Sequence, residues 1–104
     1  MPSATASLMA DLPQAHHTAT ATICNRRGLH ARAAAKFVSA AERFTAAVEV
    51  EAHGQSVSAQ SIMGLMMLGA GKGAVLELRA TGSDAAEALA VLVELVEAGF
   101  HEQD

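Results

Sequence analysis

The chain has no tryptophan and no tyrosine, and only three phenylalanines in 104 residues. Its core must therefore be built from alanine, valine, leucine, isoleucine and methionine. Cysteine is almost absent: Cys24 stands alone, so no internal disulfide can form, and no Cys-x-x-Cys pair points to zinc or redox work. No apolar run approaches the roughly 20 residues of a membrane span. The opening MPSATASLMADLPQAHH has neither a basic n-region nor a continuous apolar stretch, so no secretory signal is read there. A soluble, cytoplasmic protein is expected. Its length allows one domain and one hydrophobic core.

What is present reads as globular rather than disordered, with 51% hydrophobic and 17% charged residues. A net charge of −4 argues against a general nucleic-acid binder. The charges are segregated. Five of the seven basic residues (Arg26, Arg27, Arg32, Lys36, Arg43) lie between positions 26 and 43, where Glu42 is the only acid. Asp84, Glu87, Glu94 and Glu97 then follow on one segment with no base among them.

Residues 1–17 are rich in Ala, Ser, Thr and Pro and carry no sustained period, which predicts a disordered tail ahead of a domain over 18–104. HTATATIC (17–24) alternates Thr with apolar residues, the pattern of a half-buried strand. Ala34, Phe37, Val38 and Ala41 fall at i, i+3, i+4 and i+7, one face of a helix starting at Ala31. AAVEVEA (46–52) and QSVSA (55–59) read as a hairpin turning at His53-Gly54. SIMGLMML (61–68) is a short helix begun by Ser61, and AVLELRA (74–80) a fourth strand. Asp84-x-x-Glu87 resembles a capping box. Leu89, Leu92, Val93, Val96 and Phe100 mark the buried face of the helix it opens, with Gly99 near its end. The order β-α-β-β-α-β-α predicts an α+β open-faced sandwich, a four-stranded antiparallel sheet with its helices on one face. Pattern alone leaves a ferredoxin-like arrangement equally open.

One stretch lacks something a helix usually has. In RRGLHARAAAKF (26–37) no Ser, Thr, Asp or Asn caps the helix start; a histidine, His30, stands there instead. Gly28 allows a left-handed turn just before it, and Arg32 lies in the first turn. Free amides and the macrodipole make such an end an anion site. Two readings stand. His30 is a polar surface residue and an imperfect cap, or it is a nucleophile. In the second case a phosphoryl group taken up by the neutral imidazole serves as the cap, with a guanidinium beside it. The other histidines show no ligand spacing, so no metal is expected. A Ser-His-Asp hydrolase ranks lower still, because no nucleophile elbow is present.

GLHARAAAKFVSAAERF followed by SIMGLMMLGAGKG resembles the HPr family, the histidine-containing phosphocarriers of the phosphoenolpyruvate-dependent phosphotransferase system. The likeness runs from about Thr20 to Phe100. It implies that His30 carries phosphate on Nδ1 and that Arg32 attends it. It also implies a monomeric relay component that is no self-sufficient catalyst and needs no cofactor. Enzyme I would be the donor, an EIIA-type protein the acceptor, with no nucleic acid and no membrane involved. One position departs. The family usually has proline after that arginine, and Ala33 stands here, which loosens the first helical turn. That departure and the wording of both motifs resemble the nitrogen-related or regulatory branch.

In SIMGLMML, Leu65 and Leu68 face the core, leaving Ile62, Met63, Met66 and Met67 outward or at the rim. So apolar a helix reads either as filler for a core poor in aromatics or as an exposed docking patch. The resemblance favours docking, with Lys36 at its border attracting acidic partners. Arg43 reads as solvated. Ser61 is an N-cap; it also matches the serine that a dedicated HPr kinase/phosphorylase modifies in some family members. Two other classes remain: a regulatory interaction module with His30 idle, and a small ligand-binding domain of ferredoxin type.

Overall fold

The structure is a computed structural model and describes residues 16–103. Strand β1 (His16–Thr22) leads to helix α1 (Ala31–Ala41). The hairpin β2 (Ala47–Ala52) and β3 (Gln55–Ser58) follows, then helix α2 (Ile62–Met67), strand β4 (Val75–Thr81) and helix α3 (Ala85–Glu97). A 3-10 turn, Gly99–His101, continues from α3. β1 begins at His16, one residue before the alternation that starts at His17; residues 1–15 lie outside the described residues.

The sheet order is β1-β4-β2-β3, antiparallel throughout. Alternation decides its two faces. Ala21, Val48, Val50, Ala52, Leu76, Leu78 and Ala80 are buried on one side, while Thr18, Thr20, Thr22, Glu49 and Glu77 are exposed on the other. Across that open face Arg79 donates to Glu51 Oε1 at 2.9 Å, to Glu49 Oε1 at 3.2 Å and to Ser56 Oγ at 2.9 Å, joining three strands. The β2–β3 turn is two residues long, and both His53 (φ 52°) and Gly54 (φ 78°) are left-handed, the twist a tight hairpin requires.

The three helices cover the inner face. α1 turns Ala33, Ala34, Phe37, Val38 and Ala41 inward, and α3 supplies Ala85, Ala88, Leu89, Leu92 and Val96. Phe37 and Phe100 are the largest fully buried side chains. The spacing puts Phe100 on the helix, but α3 ends at Glu97. Phe100 reaches the core from the following turn, in a left-handed conformation (φ 56°).

The capping box at Asp84 does not form. Asp84 precedes α3 but makes no side-chain cap bond. Its carboxylate instead accepts from the amides of Thr45 (2.9 Å) and Ala46 (2.8 Å) and from Thr45 Oγ1 (3.2 Å). Those bonds hold the entry to β2 against the start of α3, and they draw the Asp84 carboxyl below the usual carboxylate range, with the Thr45 amide contributing most.

Candidate functional site

The loop between β1 and α1 is fixed by its backbone. Gly28 is left-handed (φ 65°), and a Cβ there would lie 2.5 Å from the Ala70 carbonyl oxygen and 2.7 Å from Gly71 Cα. Only glycine allows this approach. The next amide, Leu29 N, donates to Ala70 O at 3.0 Å, so the loop is stitched to the segment that follows α2. Asn25, buried, donates through Nδ2 to Gly28 O at 3.0 Å.

This brings His30 to the N-cap of α1 in extended conformation (φ −76°, ψ 178°), with its carbonyl accepting from Ala34 N at 2.8 Å. No side chain caps the helix, and no acid stands in its first turn. Nothing within the helix itself therefore offsets the positive end of α1 beside the imidazole. The ring is held from its far side, where Nε2 meets the Glu102 carboxylate. The other oxygen of that carboxylate accepts from Asn25 Nδ2 at 3.0 Å. The His30 bond, then those from Asn25 and the charge of Lys36, hold the Glu102 carboxyl below its ordinary range against the opposing effect of burial. An ionised carboxylate only accepts. Nε2 then carries a proton, and in the neutral ring the lone pair lies on Nδ1.

Glu102 reaches this place through a sharp turn back. Phe100 (φ 56°) and His101 (φ 59°) are both left-handed, a costly conformation for residues other than glycine. The burial of Phe100 and a 2.7 Å bond from Lys36 Nζ to Phe100 O hold it. A shallow cleft of about 320 Å3 opens at the site, lined by Arg26, Arg27, His30, Arg32, Lys36 and Glu102 among others.

Of the residues singled out from the sequence, His30, Arg32 and Lys36 share this cleft, and Gly28 builds the loop beneath it. Ser61 caps α2, its Oγ accepting from Gly64 N at 2.9 Å. Leu65 and Leu68 are buried, whereas Ile62 (40%), Met63 (67%), Met66 (39%) and Met67 (72%) expose large parts of their surface. Asn25 and Glu102 were not anticipated. Nothing in the sequence marks Asn25 out, and no local pattern announces that Glu102 folds back onto His30. Among the described residues no three His, Cys, Asp or Glu side chains gather into a metal site, and no helix is long and apolar enough to cross a membrane.

The family described as "PTS HPr component phosphorylation site" matches residues 17–98. The chain belongs to the HPr family. The phosphocarrier protein HPr of Pseudomonas aeruginosa is 51% identical over 82 residues, 78% of this chain and 91% of that one. HPr of Neisseria meningitidis is 48% identical over 80 residues, 77% of this chain and 90% of that one. A crystal structure of HPr from Thermoanaerobacter tengcongensis superposes with a TM-score of 0.80 at 44% identity, covering 85% of this chain and 99% of that one. That likeness decides for the HPr open-faced sandwich over the ferredoxin-like alternative. The chain is a phosphocarrier-type protein of the phosphotransferase system, a role that suits a carrier rather than a self-sufficient catalyst.

Proposed function

We propose that His30 accepts a phosphoryl group on Nδ1 from Enzyme I, with phosphoenolpyruvate as the ultimate source, and passes it to an EIIA-type acceptor. One observation supports this reading: an imidazole stands where a helix cap should be, with Nε2 against a carboxylate and Nδ1 on the other side of the ring. The Nδ1 lone pair attacks phosphorus while the bond to the donor breaks, its electron pair staying with the donor. Because Nε2 keeps its proton, the ring becomes imidazolium-like as the P–N bond forms, and Glu102 opposes that charge directly. The phosphate oxygens take the place of the missing cap at the amides of α1, with Arg32 beside them. Transfer to the acceptor reverses each change.

The exposed Ile62, Met63 and Met66 form the proposed docking patch, and Lys36 borders it as a charge for acidic partners. Ser61 is the proposed regulatory site for an HPr kinase/phosphorylase; phosphate there would put negative charge beside the patch. The wording of both motifs supports the nitrogen-related or regulatory branch as the setting.

The test is an intact-mass assay with Enzyme I and phosphoenolpyruvate on the wild type and on His30→Ala. One acid-labile phosphoryl group, absent from the variant, is expected. Uptake by neither, with Enzyme I active on another carrier, would overturn the relay and leave a docking module with His30 idle.

A further inference from the structure

We propose that Met63 and Met67 form a peroxide-reactive modification site, whose conversion to sulfoxide reversibly weakens docking and so slows phosphoryl uptake. The inference rests on the docking patch proposed above, to which Met63 belongs and which it extends to Met67, four residues on along the same helix.

The distribution of methionine carries the argument. Three of the chain's five methionines stand in the six residues of α2. The buried core of the described residues, poor as it is in aromatics, contains none. Methionine, the most adaptable core filler, is thus used in the described fold only at the surface. Met63 and Met67 are the most exposed of the large apolar residues, at 67% and 72%. Four residues apart, they lie on one face of the helix. Leu65 and Leu68 anchor α2 from beneath, so both thioethers can react without the fold opening. Met66, at 39%, is a built-in comparison on the same helix.

Hydrogen peroxide is the oxidant class. The sulfur lone pair attacks one peroxide oxygen, the O–O bond breaks, and the S–O bond forms. The oxygen captured by sulfur gives up its proton, and the departing hydroxide takes it and leaves as water. Sulfur is oxidised by two electrons and peroxide is reduced. The product is a polar sulfoxide where the patch was apolar, and sulfoxide reductases reverse it. Leucine or isoleucine at either position would keep the apolar surface without this sensitivity.

The experiment treats the full chain with hydrogen peroxide, locates added oxygen by peptide mass, and measures the rate of phosphoryl uptake from Enzyme I and phosphoenolpyruvate. The double variant Met63→Leu/Met67→Leu is treated identically and compared with its own untreated rate. Oxidation of the exposed thiol of Cys24 affects both chains alike. Met63 and Met67 should take up oxygen ahead of Met66. The wild-type rate should fall by about fivefold or more, on the scale of losing one central interface contact. The double variant should hold its untreated rate, and the two epimer-specific reductases should restore the wild type. Full oxidation at both positions without slowing, equal slowing of the variant, or Met66 reacting first would each overturn the inference while leaving the carrier reading intact. An untreated chain that takes up no phosphoryl group overturns the carrier reading, and this inference with it.

Discussion

Nε2 of His30 and the carboxylate of Glu102 meet although they lie 72 residues apart in the chain. Both side chains are largely buried at the contact, with relative exposures of 17% and 12%. The pair sets the tautomer of the ring. In Glu102→Gln the Asn25 bond can persist through the amide oxygen, but the charge that selects Nε2–H is gone. Nitrogen chemical shifts should show Nε2 protonated and Nδ1 bare in the neutral wild-type imidazole, and a mixture of tautomers in the variant. An unchanged tautomer would mean that Glu102 only fills space. Phosphoryl uptake should still reach one group per chain in the variant, but more slowly.

Gly28 makes a second expectation quantitative. Gly28→Ala forces a left-handed alanine and drives its Cβ into the Ala70 carbonyl, costing about 2–4 kcal/mol. Gly54 is equally left-handed, but a Cβ there would meet nothing within 4 Å. Gly54→Ala should therefore show the backbone cost alone, about 1–2 kcal/mol. Urea unfolding of both variants separates close approach from backbone conformation. Equal losses would show that the Ala70 segment yields.

Elements that depend on neighbours in sequence were legible in it. The apolar face of α1 follows from the spacing of Ala34, Phe37, Val38 and Ala41, and the hairpin from His53-Gly54 between alternating runs. Ser61 behaves as its residue type implies, because its cap partner is only three residues away. What failed was non-local. Asp84 has the residue type and spacing of a cap, but the free amides of Thr45 and Ala46 compete for its carboxylate from another part of the chain. The role of Glu102 depends on Phe100 and His101 adopting a conformation that no propensity favours. Of the candidate site, the place of His30 at an uncapped helix start was readable, and the groups that hold its ring were not.

Asp84 predicts how the fold responds to acid. Its carboxyl is held below the usual range, chiefly by the Thr45 amide. A carboxyl lowered by folding contributes stability that is complete above its unfolded value, about 3.9. That contribution is lost as pH falls through the lower, folded value. Asp84→Asn keeps one acceptor oxygen but loses the charge and the second acceptor, so its urea midpoint should lie below the wild type at pH 7. The gap should narrow as the wild-type carboxyl protonates. A gap that stays constant down to pH 2 would assign the effect to shape rather than ionisation.

The cap at Ser61 and its proposed regulatory role cannot be separated by one substitution, so a pair is needed. Ser61→Ala removes the acceptor for Gly64 N and should cost about 1 kcal/mol of stability. It leaves the charge of the proposed docking face unchanged, so uptake from Enzyme I should keep its wild-type rate. Ser61→Asp retains an oxygen acceptor for the same amide, and its charge suits a helix N-terminus. Its stability should match the wild type. The same charge stands beside Ile62 and Met63, however, where a partner that seeks an apolar and basic surface would meet it. Uptake should slow in Ser61→Asp and not in Ser61→Ala, the reverse of their order in stability. If both variants transfer at one rate, charge at this position does not reach the docking surface, and Ser61 is a cap alone.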